Sequence, residues 1–84
     1  MRFTLLMNHR KLAILKLLAR VSDASVVDIA AGFGLTLPAA GMALLRLTRN
    51  GLIARTYDTE QDRLFYSLTP KGAARLRVLE QDDD

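Results

Sequence analysis

The chain has 84 residues, half of them apolar and a quarter charged, which is typical of one small globular domain. No apolar run approaches the roughly 20 residues that a membrane helix needs, and the start has no secretory cleavage site. The absence of cysteine excludes disulfides and thiolate chemistry. We therefore expect a soluble, cytoplasmic protein.

The formal net charge of +3 is unevenly distributed along the chain. Four of the nine acidic residues lie in the last five positions, so residues 1–79 carry 12 basic against 5 acidic side chains, a net charge of +7. A body this basic suits nucleic acid, although many small domains are basic without binding any. Residues 1–80 are predicted to form a single domain and residues 81–84 a disordered acidic tail, which either screens the basic surface or keeps the chain soluble.

Apolar periodicity and capping residues define the first two predicted helices. The first runs from its cap, Asn8, to about Arg20, with a broad apolar face. Its basic residues form either a solvated surface or a supplementary phosphate contact: Arg10, Lys11, Lys16 and Arg20. The second helix follows Ser25, because Asp28 stands at the spacing of a capping box, and it stops at Gly34.

The third predicted helix begins in the stretch TLPAAGMALLR. Thr36 is its cap, and Pro38 lies in the first turn, where a missing N–H costs nothing. The dipeptide Asn50-Gly51 ends it, since Gly51 adopts a positive φ without steric cost.

Strand patterns replace the helical period after residue 51. The runs LIARTY and RLFYSL are separated by the polar DTEQD, which predicts an antiparallel hairpin, and residues 22–24 are a candidate for a small extra strand. Leu64, Phe65 and Tyr66 alternate across the second run, so one or two of them belong to the core. Thr69 is predicted to cap a last helix, whose apolar contacts are Leu76, Val78 and Leu79.

Two helices joined by a short glycine-containing turn and followed by a hairpin are the plan of a winged helix-turn-helix. The 48 residues from Ser25 to Gly72 resemble the winged-helix core of MarR-like and PadR-like bacterial and archaeal regulators. The matching positions are Ile29-Ala30, Gly34-Leu35-Thr36, Leu47, Gly51-Leu52-Ile53, Leu68-Thr69 and Gly72. The resemblance implies a mainly α fold with a β-hairpin wing (α+β), and double-stranded DNA binding as a small transcription regulator.

The outward face of the third helix has few hydrogen-bonding groups. If Ala40, Ala43, Leu44 and Leu47 pack inward, the outward residues are Pro38, Ala39, Gly41, Met42, Leu45, Arg46 and Arg49. Direct readout depends largely on bidentate hydrogen bonds to base edges, which the middle of this face does not offer. Either the helix enters the major groove with small side chains, and Ala39 or Met42 contacts thymine methyl groups, or this apolar face docks a protein partner.

DNA contacts are therefore predicted to be mainly to phosphates, from arginines and from the helix N-termini near Ser25 and Thr36. The full predicted set is Ser25, Thr36, Pro38, Ala39, Met42, Arg46, Arg49, Arg55 and Arg63. The resemblance suggests that Arg63 enters the minor groove. However, residues 58–63 carry a net charge of −2, with three acids and one base, and an ion pair of Asp62 with Arg55 or Arg63 accounts for the turn equally well.

The sequence offers no catalytic constellation, and its single histidine, His9, has no partner at metal-ligand spacing. We expect neither an enzyme nor a bound metal or cofactor. A homodimer is expected through the first helix, the N-terminal RFTLLM and the last helix, because these surfaces are apolar and so short a chain buries little by itself.

Overall fold

The computed structural model describes the backbone of residues 2–82 and the side chains of residues 9–81. The elements are α1 (Arg2–Val21), β1 (Asp23–Ala24), α2 (Val26–Phe33), α3 (Leu37–Arg49), β2 (Ile53–Asp58), β3 (Arg63–Leu68) and α4 (Pro70–Asp82). The three described strands form one antiparallel sheet in the order β1-β3-β2. This is the predicted α+β winged helix-turn-helix. Within these residues no single helix is long and apolar enough to cross a membrane, and only α2 and α3 together, bent by 113°, reach that length and composition.

The predicted caps of α2 and α3 are confirmed. The Ser25 hydroxyl accepts a hydrogen bond from the Asp28 N–H at 3.2 Å, and the Asp28 carboxylate accepts one from the Ser25 N–H at 3.0 Å, which completes the capping box. Gly34 ends α2 with a φ of 65°. The Thr36 hydroxyl accepts a hydrogen bond from the Ala39 N–H at 3.2 Å. Local side-chain chemistry therefore sets the turn between α2 and α3.

The two outer helices differ from the prediction. Helix α1 begins at Arg2, so Asn8 lies inside it and is not its cap; no proline or glycine interrupts residues 2–21, and the apolar pattern continues. Helix α4 continues through Gln81 and Asp82, where disorder was expected, because buried Leu79 ties its last turns to the core. Asp83 and Asp84 lie outside the described residues.

The core lies between α1, the sheet and the other helices. Its fully buried large side chains are Ile14, Leu15, Leu18, Ile29, Leu44 and Ile53. Helix α4 adds Leu76 and Leu79, but Val78 is 51% exposed and is not the apolar contact that the sequence predicted. One residue corresponds to about 100° around a helix, which turns Val78 away from the side that Leu79 buries. Tyr66 is the buried aromatic of β3, whereas Leu64 is exposed.

A group of backbone and side-chain contacts, which we call the clasp, joins the end of α3 and the start of β2 to the start of α4. It consists of Gly51, Leu52, Thr69 and Gly72. The Thr69 hydroxyl donates to the Gly51 carbonyl oxygen at 2.7 Å and accepts from the Gly72 N–H at 2.9 Å. The Thr69 N–H donates to the Leu52 carbonyl oxygen at 3.1 Å. Gly51 has a φ of 75°, as its place in the turn requires.

Candidate nucleic-acid interface

Helix α3 separates a buried face from an exposed one along its whole length. Ala40, Leu44 and Leu47 are buried as predicted, and Ala43 packs partly against the same core. The exposed residues of the opposite face are Pro38, Met42, Arg46 and Arg49. Ala39, Gly41 and Leu45 are half-buried, so the exposed apolar surface is narrower than the sequence suggested.

The first turn of α3 adds an exposed apolar residue that the sequence reasoning missed. Leu37 is 54% exposed, slightly more than Met42 at 49%. The available signal was its position directly after the cap, where a helix end projects beyond the core that its later turns cover. Leu37 lies on the same side of the helix as buried Leu44, seven residues later, so it adjoins the exposed face at the helix end and is not part of it, and the C-terminal half of the exposed face carries the arginines.

Helices α1 and α3 carry seven cations and no acidic residue. Between them lies a groove of about 590 Å³, and Arg10, Lys11 and Arg46 line it together with Met42. Arg10 and Lys11 are thus placed beside the exposed face of α3, although the sequence alone gave them only a solvated or supplementary role. His9 lines the same groove, and no cluster of three metal-ligating side chains occurs in the described part of the chain.

The two predicted helix N-termini differ in what they offer an anion. At α2, Ser25 is only 4% exposed, and its hydroxyl serves the capping box, so its side chain is not available for the predicted phosphate contact. The Asp28 carboxylate already occupies this helix end. Hydrogen bonding from the Ser25 backbone and side chain, together with the positive charge of Arg63, lowers the pKa of Asp28 below its ordinary value.

The N-terminus of α3 is open to solvent at Thr36, Leu37 and Pro38. The Ala39 N–H is bonded to the Thr36 hydroxyl, the Ala40 N–H is bonded to the Thr36 carbonyl at 2.9 Å, and Pro38 has no N–H. Among the first four positions of this helix, Leu37 supplies the one amide that remains for an anion. Attraction of a phosphate here depends mainly on the helix dipole.

The wing presents its two arginines on opposite faces. Directly paired residues of an antiparallel ladder share a face. Arg55 pairs with the buried Tyr66, and Arg63 pairs with Asp58 on the other face, where it also lowers the pKa of Asp28. Both arginine side chains are exposed, but a single surface cannot engage both in the same way.

The acidic residues at the wing tip build the turn. The Asp58 carboxylate accepts hydrogen bonds from the Glu60 N–H at 2.9 Å and the Gln61 N–H at 3.2 Å. Asp62, with a φ of 54°, accepts a hydrogen bond from the Tyr57 hydroxyl instead of serving as the predicted ion-pair partner of Arg55 or Arg63. Asp58 and Asp62 therefore have structural roles in the wing turn.

A scan of family models and a search of curated proteins both give no match to this chain. Solved structures do match. The YusO protein from Bacillus subtilis is 28% identical, with a TM-score of 0.80 over 86% of this chain and 52% of that protein. The transcriptional regulator BldR from Sulfolobus solfataricus is also 28% identical, with a TM-score of 0.81 over 95% of this chain and 59% of BldR.

A MarR-family transcription regulator is 27% identical, with a TM-score of 0.79, and the match covers 88% of this chain and 50% of that one. The chain thus spans about half the length of the solved proteins that it matches. The predicted resemblance is confirmed at the level of the fold: this is a MarR-like winged helix-turn-helix domain.

Proposed function

We propose that this domain binds double-stranded DNA as a small transcription regulator of the cytoplasm, acting as a homodimer. The observation that carries the proposal is the acid-free basic surface that α3 and α1 form around the exposed face of α3. In a winged helix this face is the part that enters the major groove. The solved regulators that share the fold support the same function, whereas they offer no comparable support for a protein-docking role.

Binding depends mainly on phosphates and on the shape of the duplex. The major groove is wide enough for an α-helix, and the arginines near the C-terminus of α3 then face the sugar-phosphate backbone. Arg10 and Lys11 extend this contact across the groove from α1. Arg55 and Arg63 supply one further cation on each face of the wing. Thr36, Pro38 and Ala39 lie at the end of α3 that enters the groove, and Ser25 is left out of the contact set.

The size of the domain and its exposed apolar surface support a homodimer. A domain of this length buries only about 60% of the surface of its unfolded chain. Helix α1 is about 30 Å long and packs against α4, whose Val78 is 51% exposed. Paired winged helices read two half-sites about one turn of DNA apart. Light scattering coupled to size-exclusion chromatography measures the mass in solution.

A titration of mixed-sequence duplex DNA at several salt concentrations tests the proposal. Each neutralised phosphate contributes about 0.9 to the negative slope of log affinity against log salt concentration. Replacing both Arg46 and Arg49 with alanine should reduce the slope by about 2 and weaken binding to all sequences alike. The matched control replaces Arg75 and Arg77, two exposed arginines of α4, with alanine. It removes the same charge from a different surface, so the slope should change little.

The result that would overturn the proposal is the absence of duplex binding by the wild-type protein even at low salt. Equal losses in the α3 and α4 double variants would show that only net charge matters, and would contradict the proposed placement of α3 in the groove.

A further inference from the structure

The exposed face of α3 has two halves of different chemistry. Pro38 and Met42 make the N-terminal half apolar, and Arg46 and Arg49 make the C-terminal half cationic. With a rise of 1.5 Å per residue, Pro38 and Met42 lie about 6 Å apart along the helix axis, and Arg49 lies about 10 Å beyond Met42. A partner of this face must therefore be anionic at one end and offer apolar groups at the other.

Charge identifies the class of partner. No acidic residue occurs on α1 or α3, and the groove beside Met42 is lined by Arg10, Lys11 and Arg46. A polyanion is complementary to this surface. Within the major groove of DNA, the apolar group presented by a base pair is the C5-methyl group of thymine.

We propose that Met42, with Pro38 beside it, reads thymine methyl groups in the major groove, so that the domain prefers A·T-rich duplexes. This inference rests on the proposed DNA binding and adds a sequence preference to it. Met42 is the main reading residue because its unbranched thioether adapts to the surface that it covers. Pro38, four residues earlier, lies on the same side of the helix.

The preference for A·T pairs follows from the methyl group that thymine presents in the major groove. Both kinds of base pair present three polar groups there, N7, O6 and N4 on G·C and N7, N6 and O4 on A·T, so an apolar side chain removes water from polar groups over either pair. Over thymine, it covers a methyl group and gains hydrophobic contact. One buried methyl group corresponds to about 4-fold in affinity. Pro38 and Met42 together span about two base-pair steps of 3.4 Å, so two methyl groups give about 15-fold.

Uracil substitution isolates the methyl group. We compare a thymine-containing A·T-rich duplex with one of the same sequence in which deoxyuridine replaces thymidine, because this change removes the C5-methyl and keeps base pairing and phosphates. The reciprocal duplex carries 5-methylcytosine in place of cytosine, which adds a methyl group to the same groove. Affinities are measured for the wild type, for Met42→Ala and for Val21→Ala at one fixed salt concentration.

Val21→Ala is the matched control, since Val21 is an apolar side chain of similar exposure, 44%, at the far end of α1. The groove beside α3 is lined by α1 residues 9–14, so Val21 lies about 10 Å further along the axis. Its variant should respond to methyl removal as the wild type does.

The inference is supported if uracil lowers wild-type affinity by about 4- to 15-fold, 5-methylcytosine raises it, and Met42→Ala reduces each response by about 4-fold, the share of one methyl group. Equal wild-type affinity for the thymine and uracil duplexes, with the salt slope retained, would overturn methyl readout and leave DNA binding intact. A methyl response in Met42→Ala as large as that of the wild type would overturn the role of this residue. If no duplex binds at low salt, the proposed function fails, and the apolar face belongs to a protein contact.

Discussion

A methyl group added at Gly72 tests whether the clasp holds the fold together. Gly72 lies in the first turn of α4, where its N–H donates to the Thr69 hydroxyl. A Cβ atom built there would lie 1.9 Å from the Leu52 carbonyl oxygen and 2.9 Å from both the Leu52 carbonyl carbon and the Leu68 Cδ1 atom. Since ordinary contacts begin at 3.4 Å, the start of α4 or of β2 must move by about 1.5 Å.

The expected cost of Gly72→Ala is large because the obstructing atoms are backbone. Overpacking of a folded interior typically costs about 1–3 kcal/mol, and here the Thr69 N–H holds the Leu52 carbonyl in place. Alanine gains at most about 1 kcal/mol of helix propensity over glycine. We expect a net loss of about 2–3 kcal/mol, which for a domain of this size lowers the Tm by about 10–20 °C.

Thermal and urea unfolding, followed by circular dichroism, measure the loss. Gly41→Ala is the control, because a Cβ at that position of α3 has no atom within 4 Å apart from the adjacent backbone of its own helix. At Gly41 the same glycine-to-alanine change should raise the free energy of unfolding by about 0.5–1 kcal/mol. A Gly72→Ala protein as stable as the wild type would refute the account of the clasp.

Two further predictions concern acidic residues. Asp28→Asn should lower stability at neutral pH by about 0.3–1 kcal/mol, since it weakens the capping box of α2. The folded-state pKa of Asp28 is lowered, so its stabilisation is present above the unfolded-state pKa and is lost as pH falls through the folded-state pKa. Urea unfolding across a pH series should show the variant and the wild type converging in acid, and a constant difference would contradict this reasoning. Asp58→Ala should speed amide exchange at Glu60 and Gln61, whose N–H groups lose their acceptor, with little change in global stability. Hydrogen-exchange NMR measures both rates, and unchanged exchange would show that other contacts hold the turn.

The sequence predicted the helix-turn-helix well because its signals are local. The capping box of Ser25 and Asp28, the positive φ of Gly34 and the Thr36 cap each involve residues no more than three positions apart. The hairpin was equally readable, since an apolar alternation either side of a polar turn needs no distant partner. Helical spacing alone was enough to predict which residues of α3 face inward.

Features that depend on the packing of separate elements or on a particular turn conformation were missed, and one local signal was misleading. The placement of Arg10 and Lys11 beside Arg46 arises from the packing of α1 near α3, and no pattern within either helix specifies it. The wing-tip acids looked like a repulsive cluster because their hydrogen bonds to backbone amides and to Tyr57 depend on the turn conformation. The sequence predicted that α1 begins at Asn8, six residues after its actual start at Arg2, because asparagine is typical of a helix cap. Asparagine also occurs within helices.

The clasp links the residues that end α3 to those that follow the wing. Gly51 and Leu52 follow the arginine-bearing end of α3 and lead directly into β2, while Thr69 and Gly72 follow β3. Hydrogen bonds between these two segments fix the wing relative to α3 at its base. A duplex that contacts both Arg49 and Arg55 therefore meets two elements whose separation the clasp sets before binding, which reduces the ordering cost of the complex.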